Sequence, residues 1–288
     1  MQNVSMAGRV CLVTGATSGI GKATAEVLAQ TGATLILHGR DERKIRQLCA
    51  DLKTGTNHDN IHFLLADFAS LSEVRALAVQ LRAQFGILHV LINNAGVLTD
   101  QRQVSHDGYE WTFAVNHLAP FLLTSLVLDL LQANMPARIA FNSSSAMGAA
   151  QLDFSDLQME RHFDGWTAYA NTKLANMLCA NLFAEKLAGT GVVSNSFCPG
   201  LIDTNLLVDN QDFGEAQYAR LKLMMRSVRE GAITPVFLAT EPQAATINGK
   251  FFLKSHGNGM TPVPISWDRE VAARLWNVSR ECVTRWLD

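Results

Sequence analysis

The 288-residue chain predicts an α/β fold, a doubly wound parallel sheet in a single domain, and three observations carry that expectation. Short apolar runs alternate strictly with helix-forming stretches, which is the rhythm of βαβ units. No low-complexity linker interrupts that rhythm, and no other repeat overlies it. The polar residues worth singling out fall at the ends of the apolar runs, where such sheets bind their ligands.

In chain order, "RVCLV" (Arg9 to Val13) is a first buried strand, followed by a helix-forming run from Ala23 to Gln30. "ATLILHGR" is a second strand ending at His38, before a charged helix from about Asp41 to Lys53. "IHFLLADFAS" gives a third strand ending at Asp67, "SEVRALAVQLRAQFG" a third helix, and "LHVLINNAG" a fourth strand ending at Asn93 and Asn94. A long helical segment, about Gly108 to Gln132, leads to the strand "RIAFNSS"; a second, Thr167 to Leu187, leads to "VVSNSFCPG". "KFFL" is the last strand. The segment Leu201 to Arg229 breaks the alternation: rich in Leu and Met, it is either a substrate lid or a surface helix packed on the core.

Composition narrows the partners. With 48% hydrophobic residues the chain can bury a sizeable core, and a formal charge of −2 without a Lys/Arg block excludes the electrostatic footprint of a nucleic-acid or acidic-membrane binder. A small neutral or anionic ligand is the expectation. The five cysteines, Cys11, Cys49, Cys179, Cys198 and Cys282, show neither CxxC pairing nor metal-like clustering, which points to reduced thiols, a cytoplasmic protein and no bound metal. The N-terminus has no apolar signal core, and the apolar stretch from Phe121 to Leu131 is broken by Thr124, Ser125 and Asp129, so no membrane span is expected. A homo-oligomer is left open.

"VTGATSGIGKATAEVLAQTGA", Val13 to Ala33, is built to hold a phosphate. The triphosphate loop GxxxxGK[ST] fails in register, because Ala16 and Ala23 stand where it needs Gly and a hydroxyl. What remains is Gly15, Gly19 and Gly21 between a strand and a helix, the context of a dinucleotide pyrophosphate site. Further on, "YANTK" puts Tyr169 and Lys173 on one face of a helix, about 6 Å apart at Cβ, where the ammonium favours the phenolate. Ser143, Ser144 and Ser145 deliver a hydroxyl at the carboxyl edge of the sheet. Asn116 lies inside an apolar helix, and Pro120 four residues later clashes with its carbonyl and gives that helix a local irregularity.

Together these residues resemble the short-chain dehydrogenase/reductase family along nearly the whole chain: "TGATSGIG", "NNAG", "VN" at Val115 and Asn116, "SSS", "YANTK" and "PG" come in that family's order and spacing. "EGAITPVFLATEP", "NGKFFLKS" and "DREVAARLWNVSREC" look like its retinol-dehydrogenase-like branch. The resemblance implies a Rossmann fold and an oxidoreductase moving hydride between a nicotinamide and an alcohol or carbonyl carbon. It implies a catalytic tetrad of Asn116, Ser144, Tyr169 and Lys173, with Ser143 and Ser145 as alternatives for the serine. Tyr169 exchanges the proton, Ser144 holds the substrate oxygen, Lys173 binds the nicotinamide ribose and lowers the Tyr pKa, and Asn116 anchors a water chain. Cofactor contacts are implied at Gly15, Thr17, Ser18, Gly19, Ile20, Gly21, Asp67, Asn94, Ala95, Gly96, Pro199, Gly200 and Thr204, besides Tyr169 and Lys173. Thr172 stands where many relatives have Ser, an expected silent change.

The cofactor expected is NADP. In the family's register Gly39 takes the place of the acid that grips a ribose 2′-OH, and Arg40 follows it, able to bind a 2′-phosphate. Asp41 and Glu42 then form the acidic start of the next helix. A solvated Arg40 with dual cofactor use is the alternative. Leu206, Leu207, Leu221, Leu223, Met224 and Met225 predict a lipophilic substrate. Two other classes remain as rivals: a catalytically silent dinucleotide-binding regulator, and a sugar-nucleotide epimerase or dehydratase.

Overall fold

Eight strands form one sheet in the order β3-β2-β1-β4-β5-β6-β7-β8. They are β1 (Val10–Val13), β2 (Thr34–Gly39), β3 (Ile61–Leu65), β4 (Val90–Asn93), β5 (Ala137–Asn142), β6 (Val192–Cys198), β7 (Phe251–Leu253) and β8 (Pro262–Val263). All neighbours pair in parallel except β7 and β8. This computed structural model describes residues 4–204, 222–254 and 260–287. Leu206, Leu207 and Leu221, and most of the expected lid, lie outside the described residues.

Chain order runs outward from β1 to β3 on one side and from β4 to β8 on the other. The reversal between β1 and β4 opens a crevice at their carboxyl ends. Helices α3 (Leu71–Gln84), α5 (Ala119–Leu126), α7 (Gly165–Lys186) and α10 (Arg269–Leu287) pack over one face, and α1 (Gly19–Ala29), α2 (Glu42–Thr56), the short α8 (Val228–Gly231) and α9 (Ile233–Thr240) over the other. With both faces covered, the central strands β1 and β4 are buried at every position, which is why they read as unbroken apolar runs.

Several boundaries differ from expectation. β2 runs one residue further, to Gly39, while β3 stops at Leu65 because Asp67 turns back to accept from the Ala69 N–H at 2.9 Å. β4 ends at Asn93, and α7 begins at Gly165 under the Asp164 cap, whose Oδ1 accepts from the Thr167 N–H. β8 was not foreseen, being two residues long and carried by "PV". The helix expected over 108–132 begins at Trp111 and is broken into α4 (Trp111–Phe113), a π-helical stretch (Ala114–Leu118), α5 and α6 (Leu128–Ala133). Pro120 explains the π stretch. It has no N–H to give the Asn116 carbonyl, and the Ala119 N–H reaches back five residues to Ala114.

The tail forms α10, whose Trp276 packs edge-on against Phe121 of α5 (4.9 Å) and Phe183 of α7 (4.8 Å). Tyr109 adds a hydrogen bond to the Cys282 carbonyl at 2.9 Å. α10 therefore clamps α7, which carries Tyr169 and Lys173, and α5, which continues the π stretch that carries Asn116.

Candidate active site

A cleft of about 1050 Å³ lies along the carboxyl edge of the sheet, over the switch point. Its floor is the turn between β1 and α1. Gly15 has φ +64, and a Cβ there would lie 2.8 Å from the Ala95 Cα, so only glycine lets the first turn pass the end of β4. A Cβ at Gly21 would lie 2.1 Å from the Gly15 carbonyl, which fixes the seat of α1 under the turn. Ser18, Gly19 and Ile20 then present the start of α1 to the cleft, with no side-chain cap from Ser18 and no acid in the first turn. Free N–H groups with the positive end of an 11-residue helix behind them fit a pyrophosphate.

Three strand ends are laced together around that floor. The Thr14 hydroxyl accepts from the N–H groups of Asn94 (2.9 Å) and Ala95 (3.0 Å). The Asn94 amide donates to the carbonyls of Thr14 (3.0 Å) and Gly15 (3.4 Å), and its oxygen accepts from Asn142 Nδ2 at 3.2 Å. Its side chain thus braces the glycine turn, and any ligand contact there falls to the backbone. His38 does the same work from β2, accepting from the Gly15 N–H at 3.3 Å through Nδ1 and donating to the Ala66 carbonyl at 3.0 Å through Nε2. Stacked on Phe68 at 4.2 Å and fully buried, it is pushed by desolvation down to about 4. Sequence reasoning used His38 only as a strand end; its position next to the Gly39–Arg40 pair was the available signal.

At the far end of the cleft, Gly39 abuts Thr17: a Cβ there would come within 2.7 Å of the Thr17 methyl, so a side chain at this position would have to displace that methyl. Exposed Arg40 lines the rim with Asp67. Asp41 caps α2, accepting from the Lys44 N–H at 3.0 Å, and that bond holds its carboxyl below the usual range. Lys44, one turn further on, also lines the rim, a second cation that sequence reasoning missed.

At the near end the three serines separate. Ser143 is buried, its hydroxyl spent on the Lys173 carbonyl at 2.7 Å. Ser145 opens a 3₁₀ turn and donates its N–H to Cys198 Sγ at 3.2 Å. Ser144 lines the cleft beside Tyr169, its Oγ accepting from the Ala146 N–H at 3.1 Å. Lys173 Nζ sits 5.1 Å from the Tyr169 ring and donates to the Asn142 carbonyl at 3.2 Å. Burial pushes the phenol well above its ordinary value, Cys198 adds to that, and the nearby Ser144 hydroxyl works the other way. Burial brings Lys173 down to about 8. Desolvation, and not Lys173, therefore sets the direction at the phenol, against the expectation of a lowered value.

Gly96, Pro199, Gly200 and Thr204 complete the wall, whereas Asn116 stands behind it. Its Oδ1 accepts from the Val97 N–H at 2.7 Å, and its Nδ2 donates to the Val97 carbonyl (2.8 Å) and the Thr172 hydroxyl (3.1 Å). Thr172 in turn donates to the Tyr169 carbonyl at 2.7 Å, joining the π stretch to α7. Trp166, 41% exposed and three residues before Tyr169, forms an aromatic wall 5.9 Å from that ring; its i,i+3 spacing was legible and passed over.

A phosphate cradle and a serine–tyrosine–lysine cluster meeting at one switch point define a class, the nicotinamide-dependent oxidoreductases of alcohols and carbonyls. Residues 9–213 match the family model for short chain dehydrogenase, and the chain belongs to the short-chain dehydrogenase/reductase family, in its retinol-dehydrogenase-like part. It is 34% identical to retinol dehydrogenase 12 of Homo sapiens over 99% of this chain and 89% of that one, and 36% identical to human retinol dehydrogenase 13 over 96% and 85%. Among solved structures it is similar to an uncharacterized protein from Mycobacterium Paratuberculosis, with TM-score 0.78, 28% identity and coverage of 98% and 95%. The fold is shared with L-sorbose reductase from Gluconobacter frateurii, at TM-score 0.71, 22% identity and coverage of 88% and 97%. No helix among the described residues is long and apolar enough to cross a membrane.

Proposed function

We propose that the chain interconverts a lipophilic alcohol and its carbonyl compound with NADP, using Tyr169 as the acid/base. The observation that carries this reading is the meeting of Tyr169, Ser144 and Lys173 in a cleft whose adenosine end presents Arg40 and Lys44 and whose other walls include Val97, Leu98, Val115 and Trp166. The nicotinamide, when bound, supplies or accepts the hydride. Tyr169 gives its proton to the substrate oxygen or takes it back, and Ser144 holds that oxygen within reach. A phenol raised by burial is a poor base at neutral pH, so Lys173 has to lie charged beside it, as a group at about 8 largely is at pH 7. Both Asn116 donors are engaged, so a water at this residue is held through its backbone carbonyl, the one Pro120 cannot bond.

Arg40 and Lys44 favour NADPH by charge, and Gly39 carries no carboxylate that would repel a 2′-phosphate. Five unpaired cysteines support a reducing, cytoplasmic compartment. The test is kcat/KM for NADPH and NADH across a panel of aldehydes, ketones and alcohols of graded polarity. A preference for NADPH and for long-chain or aromatic compounds is expected. Equal use of NADH, or small hydrophilic ketones ranking first, overturns the corresponding half.

A further inference from the structure

Behind the cleft a line of buried polar groups leads from the C-terminal helix to Lys173. Ser279 of α10 has its hydroxyl 2.8 Å from the Leu275 carbonyl and 2.7 Å from His117 Nε2. His117 Nδ1 faces Asn176 Oδ1 at 3.4 Å, and Asn176 Nδ2 donates at 3.1 Å to the Asn142 carbonyl, the same oxygen that receives Lys173 Nζ. Ser279, His117 and Asn176 are all nearly or wholly buried, and the crevice beside them, lined by Phe121, Cys179 and Trp276, is too narrow for a water molecule. The protons on these groups therefore have to be assigned among these groups.

Counting them leaves one arrangement. Asn176 points Nδ2 at the Asn142 carbonyl, because the flipped amide would set its oxygen against that carbonyl oxygen, and its own oxygen therefore faces His117. A neutral imidazole has one N–H. On Nε2 it would serve Ser279 and leave Nδ1 facing the Asn176 oxygen, lone pair against lone pair. On Nδ1 it serves Asn176, and Ser279 turns its own proton from Leu275 to Nε2. Leu275 sits in mid-helix, where its carbonyl has a backbone N–H from the next turn, so losing the hydroxyl costs little.

We infer that Ser279, His117 and Asn176 form a positioning relay, with every donor directed toward the Asn142 carbonyl, through which the C-terminal helix sets how firmly Lys173 is held. This rests on the role given to Lys173 above. Two donors share the Asn142 oxygen, so each weakens the other; a polarised Asn176 leaves Lys173 a weaker anchor. Removing the relay hands the whole carbonyl to Lys173 and favours its charged form. The titratable groups facing Lys173 are Tyr169 on its own helix, Cys198 at the end of β6 and, through the relay, His117, with Cys179 beside the imidazole.

The experiment joins imidazole ¹⁵N NMR of the full chain to pH profiles of carbonyl reduction. In the wild type, His117 is expected as the Nδ1–H tautomer, changing to Nε2–H in Asn176→Leu. The alkaline limb of kcat/KM in Asn176→Leu is expected to rise by about half a pH unit, the share of one hydrogen bond. Ser279→Ala, a smaller change that serves if the Asn176 variant does not fold, is expected to move the limb the same way by less, with Ser279→Thr restoring it. An Nε2–H wild type overturns the direction of the relay, and an unmoved limb overturns its coupling to Lys173. Failure of the acid/base reading shows separately, as activity retained by Tyr169→Phe while the tautomer stays as stated.

Discussion

At the scale of single residues the site divides into groups that meet a ligand and groups that hold them. Tyr169 and Ser144 face the cleft, whereas Ser143 and Asn116 are spent on backbone partners. Tyr169→Phe is expected to lower kcat by about 10²- to 10⁴-fold, the range of general acid–base catalysis, while NADPH binding by fluorescence titration stays near wild type. More than about a tenth of the activity surviving would remove the phenol from the proton transfer. Arg40 faces the cleft as Tyr169 and Ser144 do, an exposed cation with the Lys44 ammonium one turn away. Arg40→Ala is expected to weaken NADPH by roughly 1.5–3 kcal/mol, as for a hydrogen bond to a charged group, with NADH hardly changed. Equal losses for both cofactors would show that Arg40 does not read the 2′ position.

At the scale of elements, periodicity made the alternation of strands and helices legible, and Pro120 betrayed the irregularity after Asn116. What stayed hidden depends on contacts remote in sequence. Nothing near Asn94 says that its amide will brace Gly15, 79 residues away, nor does anything near His117 point to Ser279, 162 residues on. The choice among Ser143, Ser144 and Ser145 was hidden for the same reason, since it turns on which hydroxyl the Lys173 carbonyl captures. Thr172 shows what such a contact does for an element: one hydroxyl accepts from Asn116 and donates to the Tyr169 carbonyl, coupling the π stretch to α7. Thr172→Val removes it at nearly constant volume and leaves a buried Asn donor unpaired. Urea unfolding is expected to show a loss of about 1–3 kcal/mol, with kcat falling as well. Thr172→Ser keeps the hydroxyl and is expected to match the wild type; a Val variant of equal stability would show that the bridge carries no load.

At the scale of the whole molecule, two buried neutral histidines pin separate elements on one face of the sheet, His38 against Phe68 and His117 against Phe113 and Phe121. His38 ties β2 to the glycine turn and the end of β3; His117 ties the π stretch to α7 and α10. Desolvation lowers both from 6.5 to about 4. The unfolded chain takes up both protons as pH falls through 6.5, while the folded chain refuses them until about 4, so the unfolded state binds more protons throughout that window. The stability due to neutral burial is thus complete above pH 6.5 and is lost progressively down to about 4, on the order of 3 kcal/mol for each histidine. His62 and His89, lowered by partial burial, add in the same direction. The carboxylates held below their ordinary range, among them Asp129 beside Arg82 and Glu230 in its capping box with Ser227, act at lower pH. Between pH 7 and 5 the histidines dominate urea unfolding, with Glu110, raised by burial, opposing them toward the acid end, and about two protons are expected to be taken up on unfolding. His38→Gln, which keeps a donor for Ala66 and cannot charge, is expected to flatten the slope by about one proton. A slope unchanged by that substitution would mean that His38 is protonated in the folded chain.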